Sequence, residues 1–309
     1  MIENAGFRAS LMGGVRMDSG YFMYNLYDIA AVKRILSRHG FTFSKALGQN
    51  FIVDASICPA MAEQAGIDRD TLVLEIGPGI GVLTRELCLR AGKVVAVELD
   101  KRLMPVLDET LGDFDNLTVV NADVMKLDLH KLIEEHKNGC STVRVCANLP
   151  YYITSPVIMM LLEERLDVAS VTVMVQKEAA DRLCAAVGTR DSSAVTVAVN
   201  YYAEAEALFD VGRDCFLPVP KVDSAVIHLT VRDTPAVSVA DETKFFRLVR
   251  AAFSQRRKTA VNSVSALTGV SKEQVAGAFA RCGIDLSVRA EKMTMDELAR
   301  LGNELDALI

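Results

Sequence analysis

The chain has 309 residues, half of them hydrophobic, and a formal net charge of −6. This length predicts one large and one small domain with an ample core, and no apolar run approaches the roughly 20 residues of a membrane-spanning helix. The seven cysteines form no Cys-x-x-Cys pair and the four histidines are scattered, which argues against a disulfide framework and against a bound metal. We therefore expect a cytoplasmic protein with reduced thiols.

The first 22 residues show neither helical nor strand periodicity. They lack the basic and apolar regions of a secretory signal. We interpret residues 1–22 as a loosely ordered extension, or as translation from a start upstream of a natural one at Met23. An amphipathic helix is predicted over Ile29–His39, followed by a polar loop at Ala46–Asp54 and a second helix at about residues 55–66.

A short apolar strand that leads into a glycine-rich turn organises the N-terminal half. Thr71–Ile76 is mostly apolar, which is typical of a strand buried in a parallel sheet. Val82–Arg90 then returns to helical spacing. A strand, a tight turn and a helix begin the nucleotide-binding half of a doubly wound α/β fold. The turn contains Gly77, Gly79 and Gly81.

The spacing of these glycines distinguishes between cofactors. A dinucleotide-binding turn reads Gly-x-Gly-x-x-Gly and turns its amides toward a pyrophosphate. Here the spacing is Gly-x-Gly-x-Gly, and Pro78 removes one amide donor. Such a turn suits a ligand with a ribose but no phosphate, such as S-adenosylmethionine. Glu98 follows the apolar run Val94–Val97, at the position where these folds place a carboxylate that holds the ribose hydroxyls. The alternative is a turn that only allows close packing of helix and strand.

The next strand also ends in a polar side chain. After a predicted helix at Asp100–Leu111, the strand Leu117–Val120 leads to Asp123. Strand ends at this edge of an open sheet line the ligand crevice, so Asp123 could accept a hydrogen bond from an adenine amino group. It could equally be a helix N-cap.

The stretch Asn148–Tyr152, which reads Asn-Leu-Pro-Tyr-Tyr, follows the strand Val143–Ala147 and is the most specific in the sequence. It suits methylation of a planar exocyclic amine, whose nitrogen lone pair is delocalised into the ring. The Asn148 carbonyl and a backbone carbonyl of the turn could accept the two amine hydrogens and favour the pyramidal, nucleophilic form. Tyr151 could stack on the base. No strong general base is needed, because the proton can leave after the methyl group arrives.

The following segment is predicted to complete the sheet. A proline-rich loop at Cys215–Lys221 should be rigid and lie over the pocket, and Phe216 in this loop could face the pocket or be a buried plug. The other predicted elements are a strand at Val171–Lys177, a helix at Glu178–Ala186, and two antiparallel strands at Val195–Tyr202 and Ser224–Val231.

The C-terminal region is predicted to be helical and basic. Asp233–Asp241 is the expected domain boundary, which gives a methyltransferase domain over residues 23–233 and a helical domain over residues 238–309. Lys244–Lys272 contains seven basic residues and no acidic one, which favours a phosphate-binding surface over a merely solvated face. The predicted helices are Glu242–Phe253, Arg257–Leu267, Lys272–Arg281 and Met295–Leu308. The candidate RNA-binding residues are Arg247, Arg250, Arg256, Arg257 and Lys258.

Several motifs together resemble those of the ribosomal RNA adenine dimethyltransferases, and more narrowly the bacterial small-subunit enzymes. The similarity runs from about Tyr24 to the C-terminus. It implies a doubly wound, Rossmann-like class I methyltransferase domain with a small all-helical C-terminal domain, and S-adenosylmethionine as methyl donor. It also implies dimethylation of two adjacent adenosines in a hairpin near the 3′ end of 16S rRNA in the small ribosomal subunit. The motifs, in order, are LGQNF, LEIGPGIGVLT, VELD, NAD, NLPYYITSP, FLPVPKVDSAV and FSQRRKT.

The resemblance also implies roles for individual residues. Asn148, Leu149 and Tyr151 would hold the target base, and Phe216 would stack on its other face. The residues implied to bind the cofactor are Gln49, Asn50, Ile52, Gly77, Gly79, Glu98, Asp123 and Asn148.

Two alternatives stay open at this point. One is a methylase of the macrolide-resistance type that acts on 23S rRNA, although Asp223 and the long helical tail favour the small-subunit enzyme. The other is a small-subunit assembly factor whose binding matters more than its catalysis. A DNA adenine methylase is less well supported, because those enzymes usually have proline where Leu149 stands. We expect a monomer without a metal or a membrane partner.

Overall fold

A seven-stranded sheet forms the centre of the computed structural model, which describes residues 14–16, 22–44, 47–137 and 139–308. Across the sheet the strands run β6 (Leu117–Asn121), β5 (Lys93–Glu98), β4 (Thr71–Ile76), β7 (Thr142–Asn148), β8 (Ser170–Gln176), β11 (Ser224–Val231) and β9 (Ala203–Val211). Neighbouring strands from β6 to β8 are parallel. This is the predicted doubly wound, Rossmann-like α/β fold.

The parallel register brings the predicted site residues to one edge of the sheet. β4 is buried along its whole length and lies between β5 and β7, with Leu74 opposite Val95 on one side and Val145 on the other. Chain connections reverse direction at this central strand, and such a switch point opens a crevice at the carboxyl ends of the strands. Glu98 ends β5 and Asn148 ends β7 at that crevice.

Eight helices precede residue 203 in the described part of the chain. The predicted helices at 29–39, 55–66, 82–90, 100–111 and 178–186 are confirmed within a few residues at their ends, whereas α5 and α6 were not predicted. The helices are α1 (Ile29–Arg38), α2 (Ile57–Gln64), α3 (Val82–Arg90), α4 (Met104–Leu111), α5 (Leu129–His136), α6 (Thr154–Glu163), α7 (Lys177–Leu183) and α8 (Ala194–Tyr202).

Two short antiparallel pairs complete the strands. β3 (Phe51–Ile52) pairs with β10 (Phe216–Leu217) within the segment predicted as a rigid loop. β1 (Gly14–Arg16) pairs with β2 (Phe22–Tyr24), which contains Met23. The rest of the extension predicted at 1–22 lies outside the described residues.

The prediction of a strand at Val195–Tyr202 is wrong, because these residues belong to the helix α8. A capping box starts the helix: the Ser193 hydroxyl accepts from the Thr196 N–H at 3.3 Å, and the Thr196 hydroxyl accepts from the Ser193 N–H at 3.0 Å. Most side chains of α8 are buried, so the helix shows no polar face and no helical period. Its β-branched valines then resemble a strand, and the true strand is β9, which follows directly.

The described residues group into two compact units, and the C-terminal helices belong to the second. That unit consists of residues 161–163, 178–206 and 229–309, so it takes in α8 as well. The boundary predicted at Asp233–Asp241 stays a prediction. The predicted helix at Arg257–Leu267 begins three residues later, which leaves 256–258 in a turn. The helices are α9 (Glu242–Phe253), α10 (Ala260–Thr268), α11 (Lys272–Arg281) and α12 (Met295–Leu305).

Aromatic side chains form much of the core of this second unit. Tyr201 and Tyr202 of α8 pack on Phe245 and Phe246 of α9, with ring centroids 5.2–5.6 Å apart across the two helices. Both phenol hydroxyls bond the carboxylate of Glu242. None of the helices that the structure describes is long and apolar enough to cross a membrane.

Candidate active site

The glycine turn after β4 is tied to the strand beside it. The Gly77 N–H donates to the Val97 carbonyl at 2.9 Å, and the Gly79 N–H donates to the Glu98 carboxylate at 3.3 Å. Gly79 has φ +61°, and a Cβ there would lie 3.1 Å from the ring of Phe51. Only glycine combines this backbone conformation with so close an approach. The turn therefore lets the N-terminal loop pass directly over the end of β4.

Glu98 is held in one orientation at the pocket wall. Besides the contact with Gly79, its other carboxylate oxygen accepts from the Asp100 N–H at 2.7 Å. Burial raises the pKa of Glu98, and hydrogen bonds from the backbone of Asp100, Gly79 and Leu99 oppose that rise. Each oxygen keeps a further lone pair, and the side chain lines the pocket. A ligand with two adjacent hydroxyl groups matches this fixed pair of acceptors.

Gln49 and Asp100 connect the N-terminal loop to this wall. The Gln49 side-chain amide donates to Asp100 at 2.9 Å and accepts from the Ser44 N–H at 2.9 Å. Arg102 forms a two-armed ion pair with Asp100, at 2.9 and 2.6 Å, which lowers the pKa of Asp100 to about 2. Gln49 lines the pocket, but both ends of its amide already bond protein groups. Its predicted role as a direct cofactor ligand stays a prediction, and the structure adds a role in positioning the loop.

The remaining cofactor candidates also line the pocket. Ile52 is a buried part of its wall, and the Asn50 side chain donates to the Gly48 carbonyl at 3.0 Å. Asp123 accepts from the Met125 N–H at 3.1 Å and pairs with Lys126 at 3.3 Å. Asp123 is thus the N-cap of a short 3₁₀ helix, as one of the two sequence hypotheses expected. Its predicted contact with adenine stays a prediction.

Asn148 lines the same pocket from the end of β7, which lies on the other side of β4 from β5. Its side-chain nitrogen donates to the Asn50 carbonyl at a long 3.5 Å. The residue lines the pocket, and its side-chain carbonyl oxygen can accept hydrogen bonds. The Leu149 N–H donates to the Met174 carbonyl of β8 at 3.2 Å, so the turn is fixed by the sheet. The site thus has an amide side chain, which can accept hydrogen bonds, at the end of β7.

The two aromatic candidates differ in where the structure places them. Tyr151 lines the pocket, and its hydroxyl bonds the Ser224 hydroxyl at 2.7 Å. Burial raises the pKa of the Tyr151 phenol, and the bond to Ser224 holds the ring in place. Phe216 is 2% exposed and is not among the residues that line the pocket. Its predicted stacking role therefore requires that it turn outward, and it stays a prediction.

Glu75, near the end of β4, is a candidate that the sequence reasoning missed. It lines the pocket, is 1% exposed, and one of its carboxylate oxygens has no hydrogen-bond partner among the described residues. Burial raises the pKa of Glu75 to about 8, and the charge of Glu98 adds to the rise. The signal was present in the sequence as a lone acid in an otherwise apolar strand, two residues before the first glycine. Tyr152, half exposed at the pocket mouth, was also missed.

We expect Glu75 to make the stability of the ligand-free protein depend on pH. The folded pKa of about 8 lies above the ordinary glutamate value of 4.5, so the unfolded chain releases this proton at a lower pH than the folded protein does. The free energy of unfolding should therefore fall as pH rises from about 5 to 8, by at most about 1.4 kcal/mol per unit. Glu75→Gln should remove this loss, as measured by denaturant titrations at pH 5, 6.5 and 8. Glu63→Gln, at an exposed glutamate, is the matched control. Equal pH profiles of stability for wild type and Glu75→Gln would show that Glu75 is not the source of the pH dependence.

The described residues contain no group of three or more histidine, cysteine, aspartate or glutamate side chains that could hold a metal ion. Three features share one pocket. They are the glycine turn after β4, the Glu98 carboxylate at the end of β5, and the Asn-Leu-Pro-Tyr segment that begins at the end of β7. This fold and this arrangement are those of a class I methyltransferase.

Comparisons with known proteins give the family. The model of the family "Ribosomal RNA adenine dimethylase" matches residues 40–307, so the chain belongs to the ribosomal RNA adenine dimethylase family. The chain is 50% identical over 286 residues to ribosomal RNA small subunit methyltransferase A of Geobacillus thermodenitrificans, covering 90% of this chain and 97% of that protein. It is 47% identical to the protein of the same name from Bacillus pumilus, over 90% and 97% of the two chains.

Solved structures agree with the fold. A dimethyladenosine transferase from Plasmodium falciparum superposes with a TM-score of 0.70 at 24% identity, covering 83% of this chain and 98% of that one. The 23S rRNA methyltransferase ErmE superposes with a TM-score of 0.62 at 30% identity, covering 83% and 99%. The family model and the curated relatives confirm the predicted resemblance to rRNA adenine dimethyltransferases.

Proposed function

We propose that this protein uses S-adenosylmethionine to dimethylate the exocyclic amino groups of two adjacent adenosines in the 3′-terminal hairpin of 16S rRNA. It acts on the small ribosomal subunit in the cytoplasm, as a monomer and without a metal ion. One observation carries the proposal: the Asn148 amide lines the same pocket as the carboxylate of Glu98, which two backbone N–H groups hold in place. Acceptors for an amine and for a ribose therefore lie in the same pocket. The higher identity to small-subunit enzymes than to ErmE supports 16S over 23S rRNA.

The residues of the pocket fit S-adenosylmethionine. Glu98 offers two held acceptors for the ribose hydroxyls. The unpartnered oxygen of Glu75 suits a positively charged amino group, whose charge would favour the ionised form of this carboxyl. The glycine turn uses the Gly77 and Gly79 amides internally, so it has few donors for a pyrophosphate. When bound, the cofactor supplies a methyl group on a positively charged sulfur. The residues of the protein bind the cofactor and position and activate the amine.

The protein activates the amine by its acceptors. The amino nitrogen of adenine is a poor nucleophile while its lone pair is delocalised into the ring. The Asn148 carbonyl and a backbone carbonyl of the turn accept its two hydrogens and stabilise the pyramidal form more than the planar one, which lowers the barrier to transfer. The ring of Tyr151 supports the base, and its bond to Ser224 keeps that ring in place. The proton leaves after transfer, so no strong base is required.

A labelling experiment tests this function. The protein is incubated with radiolabelled S-adenosylmethionine and, separately, with unmethylated small subunits, large subunits or duplex DNA. We expect label in the RNA of the small subunit alone. Label in the large subunit only would support the macrolide-resistance type of enzyme instead. Tight binding to small subunits without any label would favour an assembly factor that does not catalyse.

The basic residues of the second unit are suited to bind the RNA. Arg247, Arg250, Arg256, Arg257 and Lys258 are all exposed, and the last four form no ion pair within the described part of the chain. Lys244, by contrast, is occupied by Asp306. Each phosphate neutralised by such a side chain releases counterions, which makes binding dependent on salt.

The triple variant Arg256→Ala, Arg257→Ala, Lys258→Ala should show weaker salt dependence. If all three residues meet phosphates, the slope of log affinity against log salt should flatten by about two units. Titrations of small subunits at four salt concentrations measure it. Lys131→Ala, at an exposed lysine paired with Glu135, is the control, and affinity for S-adenosylhomocysteine should not change. Parallel lines for wild type and triple variant would refute a phosphate-binding surface.

Substitutions of Phe216 distinguish its two possible roles. If the ring stacks on the target base, Phe216→Ala should cost about 1–3 kcal/mol in the transition state, and Phe216→Leu should recover little. If Phe216 is the apolar plug that its burial suggests, leucine should restore most of the activity. Tyr151→Ala should cost a similar amount of stacking free energy in the transition state, whichever role Phe216 has. The measurement is kcat/KM for methyl transfer to small subunits, with thermal unfolding measured in parallel.

A further inference from the structure

The loop at residues 218–223, which joins β10 to β11, exposes two valines. Val219 is 61% exposed and Val222 is 44% exposed, and Lys221 between them is exposed as well. Single exposed apolar side chains are ordinary on protein surfaces. Here two such side chains lie within four residues of a loop stiffened by Pro218 and Pro220. An apolar tip on a rigid loop has a fixed shape to offer to a partner.

Both ends of the 218–223 loop are attached to elements of the candidate active site. On one side, Phe216 and Leu217 pair with Ile52 and Phe51, which line the pocket. On the other side, Ser224 bonds the hydroxyl of Tyr151 at 2.7 Å. The loop therefore lies next to the place where the target base would be held.

Asp223 fixes the base of this loop. Its carbonyl accepts from the Lys177 N–H at 3.0 Å, and its carboxylate accepts from the Arg213 N–H at 3.0 Å. The exposed valines are thus carried by a braced loop and not by a segment free to fold them away from water. Val219 and Val222 add little to the core at such exposure, so their apolar character is available for a contact outside the chain.

We propose that Val219 and Val222 form an apolar wedge that fills the space left in the RNA when a target adenosine enters the pocket. This inference rests on the proposed function. A base that leaves its stack uncovers the faces of its neighbours, and proteins that distort nucleic acids insert apolar side chains at such steps. The wedge lowers the free energy of the state in which the adenosine is in the pocket. Lys221, on the same tip, places a positive charge where the adjacent phosphate passes.

The test compares variants of the wedge in single-turnover methylation of unmethylated small subunits, with protein and S-adenosylmethionine in excess. Val219→Ala, Val222→Ala together should reduce the rate about tenfold, the factor that corresponds to about 1.4 kcal/mol. The double change to leucine, which keeps an apolar surface, should retain most of the rate. The double change to threonine, which keeps the shape of valine, should fall between. Leu89→Ala, at a 37% exposed leucine of α3, is the control and should leave the rate unchanged.

Affinity for S-adenosylhomocysteine and the thermal midpoint should be the same in all variants, because the side chains are exposed. A wild-type rate in the alanine double variant would overturn the wedge and leave the proposed function intact. Equal losses in the alanine and leucine variants would also overturn it, because an apolar filler should tolerate leucine. If the wild-type protein itself transfers no methyl group to small subunits, the proposed function fails and the wedge fails with it.

Discussion

Replacing Asn148 by alanine is expected to slow methyl transfer by about 100-fold or more, with little change in binding to the small subunit. The Asn148 carbonyl meets an amine hydrogen in the planar ground state, but that hydrogen bond strengthens as the nitrogen becomes pyramidal and positive. A group that acts mainly in the transition state lowers the rate when it is removed and leaves affinity nearly unchanged. The side chain lines the pocket in the structure, so it is at the site before the substrate binds.

Single-turnover rates at saturating subunit and cofactor measure this effect. Asn148→Asp is the informative control, because it keeps an acceptor oxygen while losing the donor to Asn50. It should retain more activity than Asn148→Ala if acceptance from the amine is what matters. The contact with Asn50 is long, so its loss should not change the thermal midpoint much. A rate for Asn148→Ala within about threefold of wild type would exclude this role.

Glu98→Ala should weaken binding of S-adenosylhomocysteine by roughly 10- to 150-fold, which corresponds to about 1.5–3 kcal/mol for hydrogen bonds to a charged group. The carboxylate is fixed by the N–H groups of Asp100 and Gly79, so its free lone pairs are aligned before the ligand arrives. Isothermal titration calorimetry measures the affinity. Glu98→Gln keeps the shape and one acceptor oxygen, and should bind with intermediate affinity.

The pH dependence of the same titration gives an independent check. Burial raises the pKa of Glu98, whereas ribose hydroxyls donate to the ionised form. Wild-type affinity should therefore fall as pH drops through this raised pKa. The Glu98→Ala variant should lose this part of the pH dependence and keep only the part that Glu75 contributes. Unchanged affinity in Glu98→Ala, or the same pH profile in both proteins, would place the ribose elsewhere.

The parts of the fold that were predicted have strong local signals. The apolar strand β4, its glycine turn and the helix α3 are each marked within a few residues, and Glu98 follows from its distance to that turn. Strand β7 likewise ends at Asn148 as expected. The family motifs supplied most of the remaining site residues, and the pocket brings together all of those assigned to the cofactor.

What was missed depends on partners distant in sequence. Helix α8 is buried on most sides, so it shows no amphipathic period, and only its capping box marks its start. The Gln49 side chain forms hydrogen bonds with Ser44 and Asp100. Asp100 is distant from Gln49 in the sequence, so this bond could not be predicted from local pattern. The burial of Phe216 follows from the pairing of β10 with β3. Glu75 was hidden because a single acid did not change the apolar appearance of its strand.

Mapping the methylated nucleosides of the small-subunit RNA tests the central claim most directly. Unmethylated small subunits are incubated with the protein and S-adenosylmethionine, the RNA is digested, and the modified nucleosides are located by mass spectrometry. We predict two adjacent N6,N6-dimethyladenosines in the 3′-terminal hairpin of 16S rRNA, and almost none with Asn148→Ala. Methyl groups on a ring nitrogen, on a ribose hydroxyl or on a base other than adenine would contradict the claim that Asn148 activates an exocyclic adenine amine.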